Sequence, residues 1–114
     1  MAQEKIKIGE IGVDSGQLMI CDPCFIDSEW IKQDVNFSKE SSQKETGEFS
    51  YDGSCKGIMN KQYSQMNFKK GQSGAGVSFS SGFGDGRYEV IATFKDYGKS
   101  GKRIKKVEII LIEE

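Results

Sequence analysis

The chain has 114 residues, of which 36% are hydrophobic and 29% are charged, and its net charge is −1. This length is typical of a single domain, here residues 1–114, and the composition is that of an ordinary globular protein. The near-zero charge argues against a nucleic-acid polymer as the partner. No apolar run approaches the roughly 18 residues of a membrane-spanning helix, and the N-terminal segment lacks the apolar core of a signal peptide. We therefore expect a cytoplasmic protein with reduced cysteines and no membrane partner.

The chain contains no histidine, three cysteines and one proline, Pro23. The lack of histidine excludes catalytic triads, histidine general bases and histidine-ligated metals. With so few potential ligands, we expect neither a metal ion nor another cofactor. Fourteen glycines beside a single proline indicate that glycine makes most of the turns.

The N-terminal part is predicted to begin with two strands. Ile6 and Ile8 mark the first strand. The apolar residues before Gly9 have even numbers, whereas those after it have odd numbers. We therefore expect a bulge at Gly9 that restores them to one face of the strand. After a turn, residues 17–21 form the second strand, which Pro23 ends.

The middle of the chain is predicted to hold one short helix and one hairpin. Asp27 or Ser28 is expected to cap the helix, which continues to Lys32. Residues 33–46 form a long polar loop. The dipeptide Asp52-Gly53 then predicts a tight hairpin turn between two short strands.

The C-terminal part begins with a second long polar loop, residues 60–74, followed by a strand that includes Val77 and Phe79. Residues 87–95 alternate apolar and polar side chains and form the clearest strand. The glycine-rich stretch 81–86 between these strands is predicted to join them as a hairpin. The last strand is predicted over residues 103–112 and, with apolar residues on both faces, to be covered on both sides. The whole pattern predicts a mainly β domain: a small antiparallel barrel or sandwich of about seven strands with one short helix.

Cys21 and Cys24 are spaced C-x-x-C, as in redox proteins and in half of many zinc sites. A redox motif needs a following helix in a βαβ context, and a zinc site needs about four ligands. The sequence predicts neither. Asp22, between the two cysteines, would also raise the pKa of a neighbouring thiol. We interpret Cys21 as a small apolar filler and Cys24 as a buried thiol beyond the end of the strand.

Three segments together resemble a family of small bacterial and phage proteins: VDSGQLMICDPCFI (13–26), SSGFGDGRYEVIATF (80–94) and GKRIKKVEIILIEE (101–114). The family pattern shares an Asp-Pro-Cys-aromatic segment, in which Phe25 replaces the more usual tyrosine and Cys21 is not part of the pattern. Because the family has no assigned activity, the resemblance implies a fold and a setting rather than a reaction. That setting includes a role in host–virus interaction, in the host cytoplasm if the protein is phage-encoded.

Two segments carry the candidate site, because both interrupt strands with residues that do little for a core. Asp22 either caps the following turn or lies in a ligand pocket. The glycine loop 82–86 is either a turn that needs positive φ or a nest of N–H groups that cradles an anion. We expect both segments to lie near each other and to frame one surface. The candidate ligand-binding residues are Asp22, Cys24, Phe25, Trp30, Lys69, Lys70, Ser80, Ser81, Phe83, Gly84, Asp85, Gly86, Arg87 and Tyr88.

The residues favour a non-catalytic module that binds a small anionic ligand, such as a nucleotide or a nucleotide-derived signal, which a phage protein would sequester. A protein-interaction or inhibitor module is the first alternative. A small hydrolase that uses Asp22 and Asp85 as a carboxylate pair is the second. Homo-oligomerisation is left open by the sequence.

Overall fold

The computed structural model describes residues 2–32 and 47–113, so the predicted loop 33–46 lies outside the described residues. The chain divides into two compact units: unit 1, formed by Met1–Gly16 and Ser81–Glu114, and unit 2, formed by Gln17–Ser80. The strands are β1 (Gln3–Val13), β2 (Gln17–Cys21), β3 (Tyr63–Asn67), β4 (Ser73–Ser80), β5 (Gly86–Asp96) and β6 (Lys102–Ile109), and the helix is α1 (Tyr51–Lys61). The predicted class, mainly antiparallel β with one helix, is confirmed, with six strands in the described residues.

Unit 1 is a three-stranded antiparallel sheet in the order β1-β5-β6. The strand predicted over residues 87–95 is confirmed as β5, and the structure places it at the centre of this sheet. The predicted bulge in β1 is also confirmed, because the pairing with β5 shifts register between Lys7 and Gly9. The last strand is shorter than predicted, since the pairing of β5 with β6 ends at Val90 and Ile109. The prediction that both faces of this strand are covered is wrong, because its residues 102–107 are all exposed, Val107 to 51%.

Unit 2 is a second three-stranded antiparallel sheet, in the order β2-β4-β3. Strand β2 has the predicted bounds. The helix α1 contacts both β3 and β4. The core consists of the buried side chains of Phe49, Met66 and Ala75, against which partly buried residues pack: Met19, Cys21, Phe25, Trp30 and Phe68. Each of the two described sheets has two edge strands, so neither closes into a barrel, which was one of the two predicted architectures.

The helix does not lie where the sequence predicted it. The expected helix from Asp27 is absent from this stretch, in which a single 3₁₀ turn at Pro23–Phe25 is followed by turns. The expected hairpin at Asp52-Gly53 is instead the first turn of α1. Ser50 caps this helix, because its hydroxyl accepts a hydrogen bond of 2.9 Å from the N–H of Gly53. The cap outweighs the turn preference of the dipeptide.

Two further predictions about loops are wrong. The supposed loop over residues 60–74 contains β3, whose alternating burial is a strand signal that its polar composition obscured. The stretch 81–86 does not join a hairpin, since among the described strands β4 pairs with β2 and β3 of unit 2, whereas β5 pairs with β1 and β6 of unit 1. The described part of the chain contains no helix with both the length and the apolar character needed to cross a membrane.

Candidate functional site

The Asp22 turn in unit 2 has the predicted cap. The Oδ1 atom of Asp22 accepts a hydrogen bond of 2.9 Å from the backbone N–H of Cys24, which begins the 3₁₀ turn Pro23–Phe25. The same N–H lowers the pKa of the Asp22 carboxyl group, because it stabilises the ionised form. Asp22 is therefore a solvent-exposed capping residue that fixes the direction of the chain after β2.

The two cysteines of the C-x-x-C spacing have different surroundings. Cys21 is half-buried against the core, so its interpretation as an apolar filler is confirmed. Cys24 is exposed, and the prediction of a buried thiol is wrong, because the 3₁₀ turn directs it to solvent. The carboxylate of Asp22 raises the pKa of the Cys24 thiol by accepting its hydrogen bond. Among the described residues, no group of three or more cysteine and carboxylate side chains is placed to hold a metal ion.

This arrangement predicts how Cys24 reacts. In Asp22→Asn the amide oxygen can still cap the turn, but the negative charge is gone, so the pKa of the Cys24 thiol should fall. We expect faster alkylation of Cys24 by iodoacetamide near pH 8, and a rate–pH curve displaced to lower pH. Peptide mass mapping measures the rate at this cysteine. Asp27→Asn, which removes an exposed acid from the adjoining turn, is the control and should leave the rate unchanged; equal rates in wild type and Asp22→Asn would contradict the prediction.

Several predicted ligand residues of unit 2 do meet, but around its core. The ring of Phe25 packs edge-to-face on Phe68, with centroids 4.9 Å apart, and Trp30 packs in the same way on Phe49 at 5.0 Å. The backbone N–H of Lys69 donates to the carboxylate of Glu29 at 2.8 Å, which brings the turn after β3 to this segment. The side chains of Lys69 and Lys70 are exposed.

In unit 1, the hydroxyl groups of Tyr88 and Ser81 hold the glycine-rich loop closed. The hydroxyl of Tyr88 lies 2.7 Å from the carbonyl oxygen of Ser81 and 2.5 Å from that of Gly84. The hydroxyl of Ser81, itself buried, donates to the same Gly84 carbonyl at 2.7 Å. Gly82 has φ of 72°, and a Cβ there would lie 3.0 Å from the side chain of Ile112. These bonds fix the loop, and they direct two of its carbonyl oxygens to Tyr88.

The loop presents Phe83 to solvent. Its side chain is 89% exposed, the largest exposed fraction among the large hydrophobic side chains that the structure describes. The preceding residue, Gly82, is flanked by Leu111 and the 42% exposed Ile112. We call Phe83, Leu111 and Ile112 the Phe83 surface. The sequence predicted Phe83 as a candidate ligand-binding residue, whereas its exposure depends on the closed loop.

The depressions that adjoin this loop are acidic. Two open cavities, of about 540 and 350 Å³, share Arg87. Their described lining contains five carboxylates: Asp14 and Asp85 in the first, and Glu10, Glu89 and Glu113 in the second. Two cations balance part of this charge, since Lys7 and Arg87 both form ion pairs with Glu10. Lys7, and then Arg87, lower the pKa of the Glu10 carboxyl group. The surroundings of the loop are therefore favourable to a cation rather than to an anion.

A third cavity, in unit 2, was missed by the sequence analysis. It has a volume of about 430 Å³ and lies between α1 and β3, lined by Gly47, Lys56, Gly57, Lys61, Tyr63, Ser64, Gln65 and Asn67. A correct helix prediction over residues 51–61 would have placed two of its lysines on one element. The polar composition of residues 60–74 instead suggested a loop.

The two predicted site segments belong to different units: the Asp22 turn to unit 2, and the glycine loop with Tyr88 to unit 1. Asp22 and Asp85, the two carboxylates that a hydrolase would use, likewise belong to different units. A surface shared by the two segments thus stays a prediction.

The resemblance to a bacterial and phage family also stays a prediction. No family model, no curated protein and no solved structure matches the chain.

Proposed function

We propose that this protein is a non-catalytic binding module whose partner is another protein, with Phe83 as the anchor of the contact. The observation that carries the proposal is the 89% exposure of this ring on a loop held by hydrogen bonds. Burying a phenylalanine side chain contributes about 1.5–3 kcal/mol. A loop that is already ordered loses little conformational entropy on binding, so more of this energy appears as affinity.

The charge around the loop supports a basic partner surface. Among the described residues, five carboxylates line the adjoining depressions, where Arg87 is the basic residue of the lining and Lys7 pairs with the lining residue Glu10. Complementary charge speeds association and excludes wrong partners. For the same reason an anion is a poor ligand at this loop. The partner we propose combines an apolar cavity, which accepts the Phe83 ring, with lysine or arginine side chains at its rim.

Two finer expectations belong to this proposal. The module acts in the cytoplasm, where its three free thiols stay reduced. If the resemblance to phage proteins holds, the partner is a host protein. The small anionic ligand expected from the sequence remains the second candidate function, and the lysine-lined cavity of unit 2 is the feature that favours it.

The test is affinity capture from a lysate of the source organism, followed by calorimetry with the purified partner. We expect Phe83→Ala to weaken binding by at least about 30-fold, as hot-spot residues do. Tyr63→Ala, which removes a 55% exposed aromatic ring from unit 2, is the control and should bind normally. Salt should lower the association rate of the wild type. A partner that binds Phe83→Ala and wild type equally, or the lack of any Phe83-dependent partner, would contradict the proposal.

A further inference from the structure

We propose that one end of the unit 1 sheet binds single-stranded nucleic acid, on the face where the side chain of Lys95 lies. Alternate residues of a strand share a face, and so do residues that pair directly across strands. This rule brings together basic side chains from all three strands of the sheet. We call the set the basic face: Lys5, Lys95, Tyr97, Arg103, Lys105 and Lys106.

The pairing register arranges the basic face in two neighbouring rows. Read from β1 to β6, the rows are Gln3-Lys95-Arg103 and Lys5-Thr93-Lys106. Lys105 is the extra residue of β6 at the register shift between these rows. Neighbouring strands lie about 4.8 Å apart and successive rows on one face about 6.8 Å apart, so the basic side chains project from a small area. Neither row contains a carboxylate.

Long side chains from the two edge strands meet over this face. The Nζ atom of Lys105 donates to the amide oxygen of Gln3 at 3.3 Å, so its ammonium group reaches across β5. The Nζ atom of Lys5 lies 3.6 Å from the carboxylate of Glu108, across the same central strand, and is neutralised by it. These contacts show that the side chains of β1 and β6 point to the same side of the sheet.

Other cations of the basic face retain donors for a ligand. Within the described part of the chain, Lys106 is exposed and has neither an ion pair nor a hydrogen bond. Arg103 donates its Nε–H to the carbonyl oxygen of Ser100 at 2.8 Å, which leaves both terminal amino groups of its guanidinium. An ammonium group has three N–H donors, so Lys105 keeps two of them beside its bond to Gln3.

Nearby carboxylates of the unit 1 sheet lie away from these cations. Glu4 and Asp96 alternate to the opposite face, where Glu4 pairs with Lys102 at 3.2 Å. Glu10 and Glu89 share the face but lie at its other end, towards the glycine loop. The face is thus basic at one end and acidic at the other. The net charge of −1 conceals this separation, and a basic patch also attracts phosphates on a near-neutral protein.

The composition of the basic face favours nucleic acid over other polyanions. Lysine and arginine attract carboxylates and phosphates alike, but the 41% exposed ring of Tyr97 lies directly beside them. The Nζ atom of Lys95 is 5.3 Å from the centroid of this ring. Aromatic rings of this kind stack on bases while neighbouring cations hold the phosphates. Because a duplex covers the faces of its bases, the ligand that fits both features is a single strand.

The test is fluorescence anisotropy at low salt with a labelled oligothymidylate of about 12 nucleotides. We expect saturable binding, with log Kd rising against log salt at a slope of about 2, as about three phosphate contacts give. Arg103→Gln should weaken binding by about fivefold or more and lower this slope by about 0.7. Lys70→Gln removes the same charge from an exposed position in unit 2 and should stay within about twofold of the wild type.

Two further comparisons separate a nucleic acid from a general polyanion. Tyr97→Ala should weaken binding by about fivefold or more, whereas Tyr97→Phe, which keeps the ring, should bind like the wild type. An oligoglutamate of equal charge and a duplex of equal length should each compete at least about fivefold less well than the unlabelled single strand. Melting curves of every variant check that the protein stays folded.

Three outcomes would overturn the inference. The first is no saturable binding up to about 100 μM protein at low salt. The second is an equal loss of affinity in Arg103→Gln and Lys70→Gln, which would show that the oligonucleotide follows total charge. The third is an oligoglutamate that competes as well as the single strand, which would assign this face to an acidic protein segment. Phe83→Ala should bind the oligonucleotide like the wild type, so the inference fails separately from the proposed protein partner.

Discussion

Phe49→Ala should lower the free energy of unfolding by about 3–5 kcal/mol, the largest loss that we expect from any single change in this chain. The side chain is 1% exposed and packs with Met66 and Ala75. Its ring also stands edge-to-face with Trp30. Small domains have only about 5–15 kcal/mol of stability, and such a loss leaves unit 2 partly unfolded at moderate urea concentrations.

The loss of unfolding free energy can be measured by urea unfolding followed by the fluorescence of Trp30. This residue is the only tryptophan, and it packs on Phe49. Phe83→Ala is the matched control: the residue type is the same, but the side chain is 89% exposed. It should change the unfolding free energy by less than about 0.5 kcal/mol. If Phe49→Ala costs less than about 1 kcal/mol, the cluster around Met66 is not the core of this unit.

Gly57→Ala is expected to destabilise the protein by about 1–3 kcal/mol. The sign is unusual, because replacing glycine by alanine inside a helix normally stabilises it by about 1 kcal/mol. Here the new methyl group would overlap the Cβ and hydroxyl of Ser64 on β3. The helix would have to move away from the strand, which loosens the packing of α1 on β3.

A double-mutant cycle with Ser64→Gly isolates this contact. Gly57→Ala should cost less in the Ser64→Gly background than in the wild type, because the colliding atoms are gone. Gly12→Ala is the control for the substitution itself, since a Cβ at Gly12 would meet no atom within 4 Å. Thermal melts of the four proteins in the cycle and of Gly12→Ala measure these changes in stability. A stabilising Gly57→Ala variant would contradict the close helix–strand approach.

Several features could be predicted from local sequence because local forces decide them. The bulge at Gly9 follows from a change of apolar parity within one strand. The cap at Asp22 follows from the reach of a carboxylate to an N–H two residues ahead. The strand over residues 87–95 follows from its alternation, because the paired residues of β6 make the same face apolar.

The helix shows why other features could not be predicted. Its buried side carries Gly53, Ser54 and Gly57 instead of the large apolar residues that mark an amphipathic helix. The dipeptide Asp52-Gly53 is also a strong turn signal when read alone. The cap at Ser50 and the i,i+4 pair of Asp52 and Lys56 were the available local signs.

The sequence by itself determined the mainly β class, the bounds of β2 and the start of β5. It also determined local roles of single residues, such as the cap that Asp22 forms. The tertiary structure decided which strands pair, so that consecutive strands β4 and β5 belong to different sheets. It also decided that Phe83 faces solvent and that residues of α1 and β3 line one cavity. The reason is physical: capping and alternation depend on neighbours in the chain, whereas exposure and cavities depend on contacts between residues far apart in sequence, which only the folded packing supplies.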